Sequence, residues 1–213
     1  MTVVAPRVAG LEVTPCVAAL VGACILGAPA TARAQLRWDV GGELGVSQHL
    51  RSDRPAGAPA ELPGPVAELH GDVALVPMVR VGAHATFDLA PFDGLPAQHT
   101  LEGGAQLKFA PPLLSAPWRT WAEVGLGYGW AYEPGHASAA GPHAVPGASG
   151  GVFDVPLGVA LGYRASRGLE PFVELGARFG VAFAGSLYAA SGSPYLGRDV
   201  VALSLSLGLN SNQ

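Results

Sequence analysis

The residues with the clearest chemical potential lie within one stretch, residues 66–89, where all ionisable side chains fall at even-numbered positions. If this stretch folds back symmetrically about its central proline, His70 lies opposite His84, with Glu68 and Asp72 close by. Two imidazoles and a carboxylate could ligate a divalent metal ion, and a hydrogen-bonded pair is the alternative. A bulge at the turn would shift the register by one residue and break the pairing. The sequence predicts no metal site, and these two histidines are the candidate ligands if one exists.

The spacing of these polar residues predicts β-strands, because the side chains of a strand alternate between its two faces. In the central stretch one face is apolar throughout, and the other mixes carboxylate, imidazole, guanidinium and glycine. The tight break at residues 76–78 predicts a hairpin. The same alternation recurs along the chain, so that eight strands are predicted near residues 36–46, 66–75, 79–89, 99–109, 119–132, 151–164, 171–183 and 201–209.

The connections between the predicted strands are alternately long and short along the chain. The first, third, fifth and seventh are the long ones, at residues 48–65, 90–98, 133–150 and 184–197. Outer-membrane barrels place their long loops outside the cell and their short turns in the periplasm, which matches this order. The even strand number and the asymmetry of the connections predict an all-β fold, an eight-stranded antiparallel up-and-down transmembrane β-barrel.

The polar face of the predicted strands would line the interior of that barrel. An eight-stranded barrel is just wide enough for side chains to fill it, and an unpaired buried charge costs on the order of several kcal/mol. Because charges of both signs are present, we expect them to pair and to fill the lumen; a narrow conducting pore is the alternative. The predicted charge network consists of Glu43, Glu68, Asp72, Arg80, Glu102, Lys108, Glu123, Asp154, Arg164, Glu174 and Arg178.

The composition indicates a surface that is largely hidden from water. Charged residues make up 13% of the chain, against about a quarter in an average soluble domain. Apolar residues, at 49%, are too frequent for a disordered chain. The formal net charge of -4 gives no basic footprint, which argues against nucleic acid as a partner. No apolar run of about 20 residues follows Ala34, so no transmembrane helix is predicted after it.

The N-terminus is typical of an export signal. A weakly positive end precedes an apolar core at residues 17–28, and residues 32–34, Ala-Arg-Ala, match a small-x-small cleavage site. We therefore predict a cleavable secretory signal peptide over residues 1–34 and the barrel over residues 35–213. An uncleaved anchor helix and a lipoprotein site at Cys24 are the alternatives. Both cysteines of the chain lie in the predicted signal, so the mature protein would contain no disulfide.

A soluble lipocalin-like barrel also alternates, but with its apolar face inward around a ligand. Here the polar face is dominated by glycine and isolated charges, and it has few of the Lys, Glu and Thr residues that solubilise a sheet. Aromatic residues fall on the apolar face, often towards strand ends, as the girdles of membrane barrels do. Together with the export signal, these features favour the membrane barrel over the soluble one.

The glycine-alternating segments 125–130 and 172–180 resemble strands of the small eight-stranded outer-membrane barrels, the superfamily of the OmpA transmembrane domain and OmpX. The resemblance covers residues 36–209 and rests on strand count, loop asymmetry, lumen charges and the export signal. It implies an internal salt-bridge network and a location in the outer membrane. The chain departs from the family at its end. Such barrels usually finish in an aromatic residue, whereas here Leu209 is followed by Asn-Ser-Asn-Gln at residues 210–213.

We expect a non-enzymatic outer-membrane protein with a structural, adhesive or envelope-maintaining role, with no catalytic residue and no cofactor. The expected partners are membrane lipid and an extracellular ligand bound through the long loops, and a monomer is expected. The alternatives are a soluble periplasmic barrel that binds an apolar ligand and a lipid-modifying enzyme. Such an enzyme needs a base or nucleophile that reaches lipid, yet no His or Ser is predicted on the apolar face. His99, His136 and His143, predicted in or beside loops, would test the enzymatic alternative.

Overall fold

The computed structural model describes residues 37–51, 60–137, 144–145, 147–166, 168–185 and 199–212. The predicted signal peptide, residues 1–34, lies outside the described residues, and its cleavage stays a prediction. His143 also lies outside them.

Eight long strands form one closed antiparallel barrel in which each strand pairs with its neighbours in the chain and the last pairs with the first. This confirms the predicted fold class. A two-stranded ribbon, His136–Ala137 with Ala144–Val145, lies in the connection between the fifth and sixth strands. Within the described part of the chain, no helix combines the length and hydropathy needed to span a bilayer. The strands are β1 Trp38–Arg51, β2 Gly64–Val76, β3 Val79–Phe92, β4 Leu95–Phe109, β5 Trp118–Glu133, β6 Ala148–Tyr163, β7 Glu170–Gly185 and β8 Asp199–Asn212.

The stagger of the strands sets the width of the barrel. A path of directly paired residues that leaves β1 at Gly41 returns to β1 at Arg51, which corresponds to a shear number of ten. Strand number and shear together fix the diameter, and at eight strands the interior holds side chains and little else. Interior residues must therefore satisfy one another's charges and hydrogen bonds. The path runs through His70, His84, Gly104, Gly127, Asp154, Gly180 and Val200.

The hairpin between β2 and β3 turns at Pro77–Met78, and a bulge next to this turn shifts the register by one residue. Beyond the bulge, His70 lies directly opposite His84, as predicted. We expected a bulge to break this pairing, but the bulge produces it. A two-residue turn without the bulge would place Ala85 opposite His70.

The prediction of a long loop at residues 90–98 is wrong. Strand β3 continues to Phe92 and β4 begins at Leu95, so that only Asp93 and Gly94 separate them. Gly94 has a φ of 73°, a conformation that glycine adopts without steric cost. The prolines in this stretch suggested a loop, yet Pro91 occupies a register shift between β3 and β4, where no ladder donor is required. The connections at 52–63, 134–147 and 186–198 remain the long ones at this end of the barrel.

The two faces of the strands differ as the alternation predicted. Large apolar side chains are exposed on the outside of the barrel; Leu44, Leu126 and Leu205, for example, are 71%, 58% and 54% exposed. The buried side chains that face inward are mostly polar or charged. The barrel is therefore apolar outside and polar inside, the reverse of a water-soluble domain.

Gly103 and Gly104, neighbours in β4, provide a test of which face is inside. A Cβ atom on Gly104 would overlap the carbonyl oxygen of Leu126 and the Cα of Gly127, whereas one on Gly103 would lie 3.6 Å from the carbonyl oxygen of His84. We expect Gly104→Leu to lower the free energy of unfolding by about 1–3 kcal/mol because it overpacks the lumen. Gly103→Leu is expected to stay within about 0.5 kcal/mol of the wild type.

The measurement is urea unfolding of the refolded barrel in phospholipid vesicles, followed by tryptophan fluorescence. Equal effects of the two leucine variants would contradict the assignment of faces on β4.

Candidate functional site

The charged interior of the barrel is the candidate site, because ionisable side chains from strands β1 to β7 project into it. Apart from Arg164, all members of the predicted charge network lie on interior positions of the strands. Arg164 follows the end of β6, and its side chain is 57% exposed. The prediction extended the sixth strand by one residue and so placed Arg164 inside, whereas the structure places it at the rim. The interior charges form three layers along the barrel.

The layer nearest the long connections is organised by Arg178 of β7. Its guanidinium lies 2.6 Å from the Asp88 carboxylate, 3.2 Å from that of Glu102 and 3.9 Å from that of Asp154. The Arg178 side chain is 13% exposed, and the three acidic side chains are 3–5% exposed. One buried cation therefore serves three buried carboxylates from three different strands and ties β3, β4, β6 and β7 together.

His49 extends this layer, and the prediction missed it. Its Nε2 lies 3.0 Å from Asp88 and its Nδ1 lies 3.3 Å from Glu61. Ser47 donates a hydrogen bond of 2.7 Å to the other oxygen of Asp88. The first strand was predicted to end near residue 46, which left these residues in a loop, whereas β1 continues to Arg51. Continuing the period-two pattern by three residues would have placed His49 inside.

The middle layer is acidic. Glu43, Glu68, Glu123 and Glu174 lie close enough to repel one another. Lys108 is the cation beside them, and its Nζ lies 3.4 Å from Glu123 and 3.1 Å from Asp72. The Thr86 hydroxyl donates a 3.0 Å hydrogen bond to Glu68. Among the described residues, neither Glu43 nor Glu174 forms an ion pair, so this layer carries more carboxylates than cations.

The third layer lies at the end of the barrel where β1 begins and β8 ends. Arg80 contacts Asp39, and the Arg119 Nη1 lies 3.5 Å from Glu170. The carboxylate of Glu170 also lies 3.5 Å from the Nε of Arg164. Of these residues, Asp39, Arg119 and Glu170 were not among the predicted charges, although Asp39 follows the period-two pattern of the first strand.

His70 and His84 have separate partners in the interior. The His70 Nε2 is hydrogen-bonded to the Asn210 side-chain oxygen at 2.8 Å, and the His84 Nε2 lies 3.3 Å from Glu102. Throughout the described ranges, no group of three or more His, Cys, Asp or Glu side chains is arranged to hold a metal ion. Each imidazole is hydrogen-bonded to a different strand, so the pair provides two hydrogen-bonded links across the interior.

His99 corrects the expectation that no histidine reaches the apolar face. Because β4 begins at Leu95, His99 lies within the strand, in register with Tyr132. Its ring centroid is 6.2 Å from that of Phe87 and 6.5 Å from that of Tyr132. The three rings form an aromatic group on the outside of the barrel, and in the part of the chain that the structure describes His99 forms no ion pair. Among the described residues, no carboxylate is therefore placed to activate His99 as a base.

Comparisons with known proteins bear on the fold. No protein-family model and no curated protein sequence matches the chain. Among solved structures, Neisserial surface protein A aligns with a TM-score of 0.54 at 10% identity, over 82% of this chain and 96% of that one. A major outer membrane protein from Thermus thermophilus aligns with a TM-score of 0.52 at 14% identity, over 84% and 99%. The chain therefore has the fold of small outer-membrane barrels, which confirms the resemblance at the level of fold.

Proposed function

We propose that this chain is a non-enzymatic outer-membrane protein with a structural, adhesive or envelope-maintaining role. The observation that carries the proposal is the inverted polarity of a closed barrel, in which leucine, valine and aromatic side chains cover the outside while polar and ionisable groups fill the inside. A closed sheet pairs its own backbone groups and leaves no strand edge, which is the condition for a β-structure to enter hydrocarbon. In water, an apolar surface of this extent would cause aggregation.

The orientation follows from the connections. The end of the barrel where β1 begins and β8 ends has the connections 77–78, 110–117 and 164–169. The long connections lie at the opposite end. In outer-membrane barrels the termini and short turns face the periplasm. The proposed extracellular ligand would therefore bind to the connections at 52–63, 134–147 and 186–198, because binding residues are often carried on loops that a rigid scaffold positions.

The interior of the barrel fits a lumen that is filled by side chains better than it fits a ligand cavity or a catalytic site. A lipocalin-like protein needs an apolar interior for its ligand, whereas here Asp88, Glu102, Lys108 and Asp154 are each at most 5% exposed within the lumen. Charges that bind one another across the barrel hold its strands in register and leave little room for a guest. We therefore assign the charge network a structural role in keeping the cylinder closed and filled.

The membrane assignment is tested by fractionation, together with spin labels at Leu126 and Leu205. The expected result is recovery in the outer-membrane fraction, heat-modifiable migration on detergent gels, and strong contact of both labels with lipid-soluble oxygen. Recovery in the soluble periplasm, or labels that contact bulk water, would reject the proposal. A label at Asp93, an exposed turn residue at the end with the long connections, is the water-exposed control.

The choice between an adhesive and an envelope role is tested by shortening the loops. A variant that lacks residues 138–143 should assemble normally, since the deletion leaves all eight strands intact. Loss of cell attachment in this variant, without a change in detergent sensitivity, would indicate adhesion. Unchanged attachment, together with an increase in detergent sensitivity when the whole protein is absent, would indicate envelope maintenance.

A further inference from the structure

Four arginines surround one pocket at the end of the barrel where β1 begins and β8 ends. Arg37 precedes β1, Arg80 and Arg119 are the second residues of β3 and β5, and Arg164 follows β6. The pocket, here called the arginine pocket, has a volume of about 340 Å³, and no acidic side chain is among its described lining residues. Arg80 is repelled by the other three. Four cations that repel one another around a cavity form a site for an anion.

The carboxylates beneath the arginine pocket neutralise only part of this charge. Asp39 contacts Arg80, and Glu170 lies 3.5 Å from both Arg119 and Arg164. Among the residues that the structure describes, Arg37 forms no ion pair. Two carboxylates therefore face four guanidinium groups, which leaves two positive charges in excess. A doubly charged anion would balance this excess, and a singly charged anion with several acceptor oxygens would halve it. The planar guanidinium donors suit phosphate oxygens in particular.

The walls of the arginine pocket are apolar. Pro77 and Met78 contribute from one turn, and Leu114 and Trp118 contribute from the connection before β5 and from its first residue. Leu114 is 47% and Trp118 is 49% exposed. Trp118 lies at the end of the apolar outer face of β5, so the wall is continuous with the surface that meets hydrocarbon. A ligand with an anionic head and an apolar body could place its head among the arginines and its body on this surface.

We propose that the arginine pocket binds the phosphate group of an anionic phospholipid of the periplasmic leaflet. This inference rests on the proposed function, because it needs the barrel in the membrane with its termini facing the periplasm. Free phosphate offers the same oxygens to the arginines but makes no use of the apolar wall. Bound lipid would neutralise half of the excess cationic charge around the arginine pocket and anchor this end of the barrel at the membrane surface.

The test is native mass spectrometry of the full-length mature barrel in maltoside detergent, with dioleoylphosphatidylglycerol, dioleoylphosphatidylcholine or millimolar inorganic phosphate added. The wild type should retain one phosphatidylglycerol in preference to phosphatidylcholine. The double variant Arg37→Glu, Arg164→Glu should bind it on the order of tenfold or more weakly, since two charge-assisted contacts are replaced by repulsion. Both positions lie outside the strands, so closure of the barrel is preserved. The double variant Arg54→Glu, Arg198→Glu, with one change in each of the connections 52–63 and 186–198 at the opposite end, is the control with a matched change of charge.

The outcomes separate this inference from the membrane assignment. Heat-modifiable migration and recovery in the outer-membrane fraction are recorded for each variant, so a failure of the proposed function appears there. A membrane-embedded wild type that shows no preference for phosphatidylglycerol, or a double variant that binds as the wild type does, overturns the lipid site. Displacement of the lipid by inorganic phosphate, with equal retention of both lipids, would support a phosphate site and reject the lipid as its source.

Discussion

Replacement of Arg178 with methionine is expected to lower the free energy of unfolding of the barrel by about 3–5 kcal/mol. Arg178 is the common cation of Asp88, Glu102 and Asp154, at 2.6, 3.2 and 3.9 Å. Methionine keeps much of the side-chain length but carries no charge, so three buried carboxylates lose their shared partner. An uncompensated buried charge costs more than the pair contributed, because water cannot reach it inside a filled lumen. Urea unfolding in phospholipid vesicles, followed by tryptophan fluorescence, measures the loss.

Two further variants show whether the effect of Arg178→Met comes from burial. Arg164→Met removes an arginine whose side chain is 57% exposed and whose carboxylate partner is 3.5 Å away, and it should cost no more than about 1 kcal/mol. Adding Asp88→Asn, Glu102→Gln and Asp154→Asn to Arg178→Met should recover most of the lost stability, since the uncompensated charges are then gone. Equal losses at Arg178 and Arg164, or no recovery on neutralisation, would contradict the assigned role of the layer.

Leu126→Arg is expected to lower the free energy of unfolding in a membrane by about 2–4 kcal/mol. Leu126 is 58% exposed, points outward and lies near the middle of β5. In the proposed orientation this position contacts the centre of the hydrocarbon layer, where a guanidinium loses its hydration. The same substitution on the surface of a water-soluble barrel would be nearly neutral or favourable. The measurement is the midpoint and slope of urea unfolding in vesicles of defined phospholipid.

Leu113→Arg provides the matched control for Leu126→Arg. Leu113 is 73% exposed and lies in the connection between β4 and β5, at the periplasmic end of the proposed orientation. An arginine there stays at the membrane surface, and the expected cost is about 0–1 kcal/mol. If both leucine variants unfold as the wild type does, the outer face of β5 does not contact hydrocarbon.

The faces of the strands were predictable because a period of two depends only on local geometry. Of the apolar residues predicted to face outward, Leu44 of β1 and Leu126 of β5 are exposed. Glu102, Lys108 and Asp154 are buried, as the alternation required. The prediction failed near strand ends. Prolines and charged residues suggested loops after residue 46 and after residue 89, but both strands continue. Pairing with a neighbouring strand extends a strand through residues whose own preference for β-structure is weak.

The sequence could not predict which residues pair with one another within the charge network. Arg178 joins Asp88 and Glu102, which are 90 and 76 positions away in the chain, and His70 joins Asn210 across 140 positions. A shift of one strand by one residue would exchange its inner and outer faces, and a shift by two would preserve the faces while exchanging every partner. The bulge beside Pro77 shifts the pairing of β2 with β3 by one residue, and this shift sets His70 opposite His84.

By itself, the sequence determined that the chain forms strands with one apolar and one polar face, because the alternation of apolar and polar residues is visible in their order along the chain. It also determined that the polar face carries both signs of charge, which a narrow lumen requires to balance. Only the tertiary structure decided that Arg178 contacts three carboxylates and that four arginines surround one pocket. The reason is that closure and stagger of the barrel, which depend on all eight strands together, bring these distant residues into contact.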